Sequence, residues 1–341
     1  MTAAPAQKTA FVELPANLIF TREGLALLSA NPNAEIKRVS GKDGSPREGM
    51  QSKSYNAPTI QKMIMNSYLE EIYIKLPDLL RKRHEIISTN NLIVYAILYK
   101  KLSPSLARML FESTVVKEFN RKNPKNSIVD LKHISMQSAA KLVESRKELF
   151  LSIKKSIQDA VLYQVSINTE LQEEDRTIMA RSIPKFIDWI DNRIWYLYFI
   201  IHQTPLKEQM QKAMVRMITQ YLDHTRIGTH LSNLLMEFVQ NAEKAHFERL
   251  IIKNNLAKKE EVDTYLRDRG NRQFIIDEAT RRDQMLEISW SMASERGAGG
   301  RNYRIIITVS NYGLIDERTR SLLHNKMKTN VDGIGLASFY E

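Results

Sequence analysis

Glu237 and Asn241 stand one helical turn apart in the stretch Leu231–Lys244, LSNLLMEFVQNAEK. A carboxylate and an amide presented side by side suit chemistry on a metal-bound phosphate. The amide oxygen can coordinate Mg²⁺, a hard cation that takes oxygen ligands, and the carboxylate can orient or deprotonate an attacking nucleophile. Lys244, seven residues after Glu237, falls on the same flank. The apolar positions Leu231, Leu234, Leu235, Phe238, Val239 and Ala242 recur every three or four residues, which predicts an amphipathic helix burying that stripe. Taken alone, the pattern is equally that of a core helix whose wet face carries Glu, Asn and Lys, the commoner meaning of so short a spacing.

Two later segments change the weight of that helix. Leu286, Ile288, Trp290 and Met292 alternate with polar residues, and Tyr303, Ile305, Ile307 and Val309 resume the alternation, with Ile306 as its one apolar interruption. With the glycine-rich loop 294–302 between them, the pair predicts an antiparallel hairpin. Its second strand runs into Asn311-Tyr312-Gly313, where a glycine past a strand end lets backbone approach a flat ligand. Gly333-Ile334-Gly335-Leu336 opens an apolar, helix-compatible run, an arrangement able to set backbone N–H groups against phosphates. Lys326 and Lys328, just upstream, could neutralise phosphate charge.

In this order the three segments resemble the GHKL superfamily of ATPases: sensor histidine kinases, the DNA gyrase B subunit, MutL and the ninety-kilodalton heat-shock chaperone. Glu237 to Lys244 looks like the N box in its histidine-kinase form, E-x-x-x-N-A-x-K. Asn311-Tyr312-Gly313 resembles the start of the G1 box and Gly333-Ile334-Gly335-Leu336 the G2 box. The resemblance spans Arg226–Glu341 and implies a Bergerat-type α/β sandwich that binds ATP and Mg²⁺. It implies Asn241 on the metal, Glu237 as base or water-orienting group, Asn311 at the adenine amino group, and Gly333 and Gly335 in a lid over the phosphates. Lys244, Gly313, Lys326, Lys328 and Leu336 complete the implied nucleotide site. Two positions depart from the family. Asn311 stands where an acid is usual, giving up about 1 kcal/mol of charge-assisted bonding, and Ile315 replaces the second G1 glycine. The sequence also stops five residues past Leu336, where the family fold continues, so a fragment or an incomplete sheet is expected.

The middle of the chain is different material. No glycine occurs between Met50 and Ile227, whereas the last 114 residues hold eight of the twelve. Stripes such as Met210, Met214, Met217, Ile218, Tyr221 and Leu222, or Leu142, Leu149, Phe150, Ile153, Ile157 and Val161, predict helices. Pro77, Pro104, Pro124, Pro184 and Pro205 are expected at helix starts and breaks. The expected fold class is therefore α+β: an N-terminal all-helical domain followed by the Bergerat-type sandwich, incomplete at its C-terminus. Residues 1–57 read as a flexible or wrapping segment, 58–225 as a helical domain for sensing, dimerisation or partner binding, and 226–341 as the ATP-binding domain. A charged helical insertion, solvent-facing, is expected at about 253–283.

A histidine kinase would need a phosphoacceptor. The candidate is His133, which the pattern puts at the start of a long helix 108 residues before Asn241, though Ile134 follows it where an acid is usual. His84, His202, His224, His230, His246 and His324 read as ordinary surface or core histidines. Zero cysteines exclude a disulfide framework and thiolate zinc sites. With no secretory leader and no apolar run of membrane-spanning length, the expected location is the cytoplasm. The net charge is +11, and 117–155 alone holds ten basic and four acidic residues. Without interleaved aromatics or glycine-rich RNA loops, a solvated basic face accounts for this better than nucleic acid does.

Two function classes follow. One is an ATP-dependent signalling kinase or ATPase whose helical region dimerises or senses. The other is an ATP-gated or degenerate scaffold whose helical domain binds a protein partner without phosphoryl transfer. A basic, nucleic-acid-binding helical protein is a distant third.

Overall fold

The computed structural model describes residues 11–30, 35–297 and 300–312. In chain order the elements are β1 (Phe11–Val12), β2 (Ala16–Phe20), α1 (Arg22–Ser29), β3 (Lys37–Ser40), β4 (Pro46–Ser52), β5 (Tyr55–Asn56), α2 (Ala57–Met65) and β6 (Leu69–Leu76). There follow α3 (Arg83–Phe111), α4 (Thr114–Lys122), α5 (Met136–Ser145), α6 (Lys147–Ile167), α7 (Glu173–Trp189), α8 (Asn192–His202) and α9 (Lys207–Lys253). Last come α10 (Val262–Arg267), α11 (Arg269–Arg281), β7 (Leu286–Gly297) and β8 (Gly300–Ser310). The class is α+β, and the chain forms two compact units that interleave in sequence. Of the described residues, one is built from those up to Ile74, Lys82–Phe238 and those within Ile288–Thr308; the other from Lys75–Arg81, Val239–Glu287 and Val309–Tyr312.

The first unit holds a six-stranded sheet in the order β3-β4-β2-β6-β7-β8. β2 lies antiparallel between β4 and β6, with Leu18 opposite Met50 on one side and Ile72 on the other. Two expectations are corrected here. Within the span 1–57, expected to be flexible or wrapping, the described residues supply β1 to β5, because β2 (ANLIF) finds its partner in β6, about fifty residues on and invisible to local pattern. Region 58–225 is not all-helical, since it contains β6. That strand buries side chains on both faces, among them Leu69, Glu71, Ile72, Tyr73 and Ile74, so it lacks the alternation by which a half-buried strand is recognised. β7 and β8, expected in a separate C-terminal sandwich, extend this same sheet. A buried polar ladder ties the sheet to the helices. The Trp290 indole N–H donates to the Asn90 amide oxygen at 3.1 Å, and the Asn90 amide donates to the Ser232 hydroxyl at 2.8 Å.

The helical core of this unit lies among α3 to α9. Met210, Met214, Met217, Ile218, Tyr221 and Leu222 are all buried, and Tyr221 stacks on Phe186 with ring centroids 4.1 Å apart. The apolar run around 189–201 splits into the end of α7 and α8, which buries Ile194, Trp195, Leu197, Tyr198 and Ile201. Pro104 and Pro184 sit inside α3 and α7, where packing on neighbouring helices outweighs the lost backbone bond. α9 is one unbroken helix of 47 residues, so the expected domain boundary at 225/226 falls in mid-helix.

The second unit has its own small core. Phe247, Leu250 and Ile251 of α9 pack with Val262, Ile275, Ile276 and Ala279 of α10 and α11. The charged stretch 253–283 is thus helical but not simply solvent-facing, because one side of α11 completes this core. Among the described residues, no helix is long and apolar enough to cross a membrane.

Candidate functional site

α9 carries the Glu237–Asn241 pair, and its buried arc is rotated from the one the sequence predicts. Ser232, Leu235, Met236, Val239, Glu243, His246 and Phe247 are buried, whereas Leu234 is 50% and Phe238 62% exposed. The apolar count misled because two polar residues, Glu243 and His246, face inward to partners far along the chain. Glu237 and Asn241 are both exposed, and neither has a hydrogen-bond partner among the described residues. Lys244 is exposed as well, with its Nζ 3.1 Å from an Asp263 carboxylate oxygen.

Asn311 directly follows β8 and leans on α9. Its amide nitrogen donates to the Ala242 carbonyl at 3.5 Å, a long hydrogen bond that sets the strand end beside the residue after Asn241. Because a carbonyl can only accept, this bond orients the Asn311 amide and leaves its Oδ1 as a spare acceptor. An aspartate here would turn a carboxylate oxygen toward that carbonyl, and two acceptors cannot bond each other. Tyr312 comes next, its ring lying 5.5 Å from the Arg249 guanidinium.

His246 backs this corner. It is 1% exposed, and Arg249 Nη2 lies 3.3 Å from its Nδ1. Burial, then the Arg249 charge, push its pKa down to about 4, while backbone groups of Gln284 and Tyr312 pull the other way. The imidazole is therefore neutral, and the sign of its contribution is fixed. The unfolded chain takes up the proton near pH 6.5, so the stability this group confers is complete above that value. It is lost as the pH falls from there toward about 4. A shift of that size corresponds to about 3 kcal/mol. Urea midpoints should climb between pH 4 and 6.5, and His246→Gln should flatten the climb.

Glu243, inside the same octet, was missed. Its carboxylate is 1% exposed and accepts from the backbone N–H of Leu79 at 2.9 Å and of Leu80 at 3.1 Å. Its other oxygen meets Arg272 Nη2 at 2.8 Å, and that nitrogen also reaches Asp78 Oδ1 at 3.3 Å. Burial raises the Glu243 pKa, the Arg272 hydrogen bond opposes this, and the Asp78 charge adds to the rise. Glu243 lies four residues from both Val239 and Phe247, on the arc that the structure buries, but no local pattern marked it, because its partners lie 29 and 164 residues away.

The remaining expected site residues divide plainly. Gly313, Lys326, Lys328, Gly333, Gly335 and Leu336 lie outside the described residues, as does Ile315. His133 does not open a long helix. It ends a short 3₁₀ turn, Leu131–His133, with its Nδ1 2.8 Å from Asp130 Oδ1, and α5 begins three residues later. Ser135, not the histidine, caps that helix. Among the described residues, no three His, Asp or Glu side chains cluster so as to hold a metal ion.

Comparison with known proteins gives a relationship without an activity. The model of a family of unknown function, DUF8084, matches residues 7–341. An uncharacterized protein of Treponema pallidum (strain Nichols) is 22% identical over 326 residues, covering 95% of this chain and 83% of the relative. No solved structure matches.

Proposed function

The chain belongs to this family of unknown function, and we propose that it binds Mg-ATP as a histidine-kinase-like ATPase, with a Bergerat-type site, and acts as a signalling kinase or ATPase. The single observation that carries the reading is the Asn311–Ala242 hydrogen bond, which brings the end of β8 to the helix beside Asn241. Two segments whose spacing suggested one site, some seventy residues apart, meet there. The spare Asn311 Oδ1 is the acceptor an adenine amino group requires.

The donor set fits the metal. Asn241 is exposed, with no described partner, and Mg²⁺ commonly takes only one or two protein ligands, completing its shell with water and phosphate oxygens. Asn241 would hold the ion, which when bound neutralises phosphate charge. Glu237, one turn earlier, would orient or deprotonate the attacking group. The helical region would serve a protein partner or a second copy, and the absence of cysteine suits the cytoplasm.

Calorimetry with ATP, with and without Mg²⁺, tests the reading. Wild type should bind Mg-ATP, and Asn241→Ala should lose the metal-dependent part of the affinity, on the order of tenfold, about 1.4 kcal/mol. No adenine-nucleotide binding by wild type sinks the proposal. One observation favours the second reading, an ATP-gated scaffold: Lys244 is engaged by Asp263. Binding without ADP release or labelling of any protein by γ-phosphate would select it.

A further inference from the structure

The formal charge of +11 is not accounted for by a nucleotide site on α9. Within the first unit a groove of about 680 Å³ is lined by the last turns of α3, the start of α4 and the first half of α9. Three cations border it: Arg108 from α3, and Lys212 and Arg216, one turn apart, from α9. All three are exposed, and among the described residues none has an ion-pair or hydrogen-bond partner. Elsewhere in this unit Lys122 is paired with Glu118 at 2.7 Å and Arg193 with Asp191 at 2.6 Å, while Lys117 and Arg121 of α4, like the groove cations, have no ion-pair partner among the described residues. Glu112 is the one carboxylate on the lining, so the groove carries a formal surplus of two positive charges. Its floor is apolar, with Leu110 and Val115 nearly inaccessible to solvent. The Ser113 hydroxyl, on the lining, turns back to the Leu110 carbonyl at 2.6 Å and leaves the start of α4 without a side-chain cap.

We propose that this groove binds a phosphate monoester carried on an apolar body. A net positive charge around one concavity attracts a multivalent anion, and the surplus of two matches a phosphate dianion. Two guanidinium groups match its oxygens in a way that a single carboxylate ligand would underuse. A groove of this size exceeds a bare phosphate ion and falls in the range of small-ligand pockets. The apolar floor takes the body of the ligand. This site rests on residues separate from Glu237, Asn241 and Asn311.

Phenyl phosphate is the probe, titrated into the full chain by calorimetry at low and high salt. Wild type should bind it more tightly than inorganic phosphate or benzoate, with affinity falling as salt rises. Arg108→Ala with Arg216→Ala should weaken binding about tenfold or more, without moving the melting temperature, since both side chains are exposed and unpaired. Glu112→Gln should tighten binding severalfold. Asn241→Ala should leave it unchanged, which separates this site from the nucleotide site. No binding at millimolar probe, equal binding by the double-alanine variant, or benzoate binding as tightly as phenyl phosphate would each overturn the proposal.

Discussion

Replacing Glu243 with alanine should lower stability by about 3–5 kcal/mol, the cost of breaking a buried ion pair by removing one partner. The carboxylate is 1% exposed and satisfies three donors: the Leu79 and Leu80 backbone N–H groups and the Arg272 guanidinium. Alanine leaves all three without it. Among the described residues Arg272 keeps Asp78, at 3.3 Å, and the Phe247 ring, 5.1 Å from its guanidinium, while the buried Leu79 N–H and the part-buried Leu80 N–H lose their acceptor, each worth up to about 1–3 kcal/mol where no water replaces it. The pair is not valuable because ions are buried, since desolvation opposes the attraction. It is costly to break by halves. Glu243→Gln, which keeps an acceptor for the two N–H groups, should therefore cost less than Glu243→Ala. The joint change Glu243→Leu with Arg272→Met should likewise recover part of the loss. Urea unfolding reads these differences as shifts in midpoint at constant slope. A Glu243→Ala variant within about 0.5 kcal/mol of wild type, as for an ordinary surface change, would show that this cluster holds nothing together.

What the sequence allowed one to read, and what it hid, divides along the range of the interactions. β7 was legible because Leu286, Ile288 and Trp290 alternate with polar residues, and all three are fully buried. The helical stripe from Met210 to Leu222 was legible for the same reason, at a period of 3.6. Both signals are carried by near neighbours. The rotation of α9 was not legible, because a polar residue is placed inside only when its partner is there to meet it. Arg272, which meets Glu243, lies 29 residues on, and Leu79 lies 164 residues back. β6 was hidden by being buried on both faces, and the union of N-terminal strands with β7 and β8 by the length of chain between them. Of the candidate site, the helix residues and Asn311 could be named in advance. That Asn311 would donate to the Ala242 carbonyl could not, since nothing in either segment specifies the other.

Glu237→Ala should keep Mg-ATP affinity within about twofold and lower turnover by roughly 10²–10⁴, the contribution typical of a positioned general base. The separation is expected because Glu237 is exposed and has no partner among the described residues. Its removal leaves no buried group unsatisfied, so stability should stay within about 0.5 kcal/mol of wild type, and a fall in rate cannot be assigned to unfolding. A group that acts only as the nucleophile is activated lowers kcat and kcat/KM together and spares binding, whereas one that holds the ground state raises KM with kcat unchanged. Asn241→Ala should show the reverse emphasis, losing metal-dependent affinity first. Measuring ADP release and nucleotide binding on both variants therefore assigns the two side chains to different steps. Turnover in Glu237→Ala equal to wild type would remove that carboxylate from the mechanism. Parallel loss of binding and rate in both variants would mean that this flank of α9 recognises the nucleotide without chemistry, the behaviour of a gated scaffold.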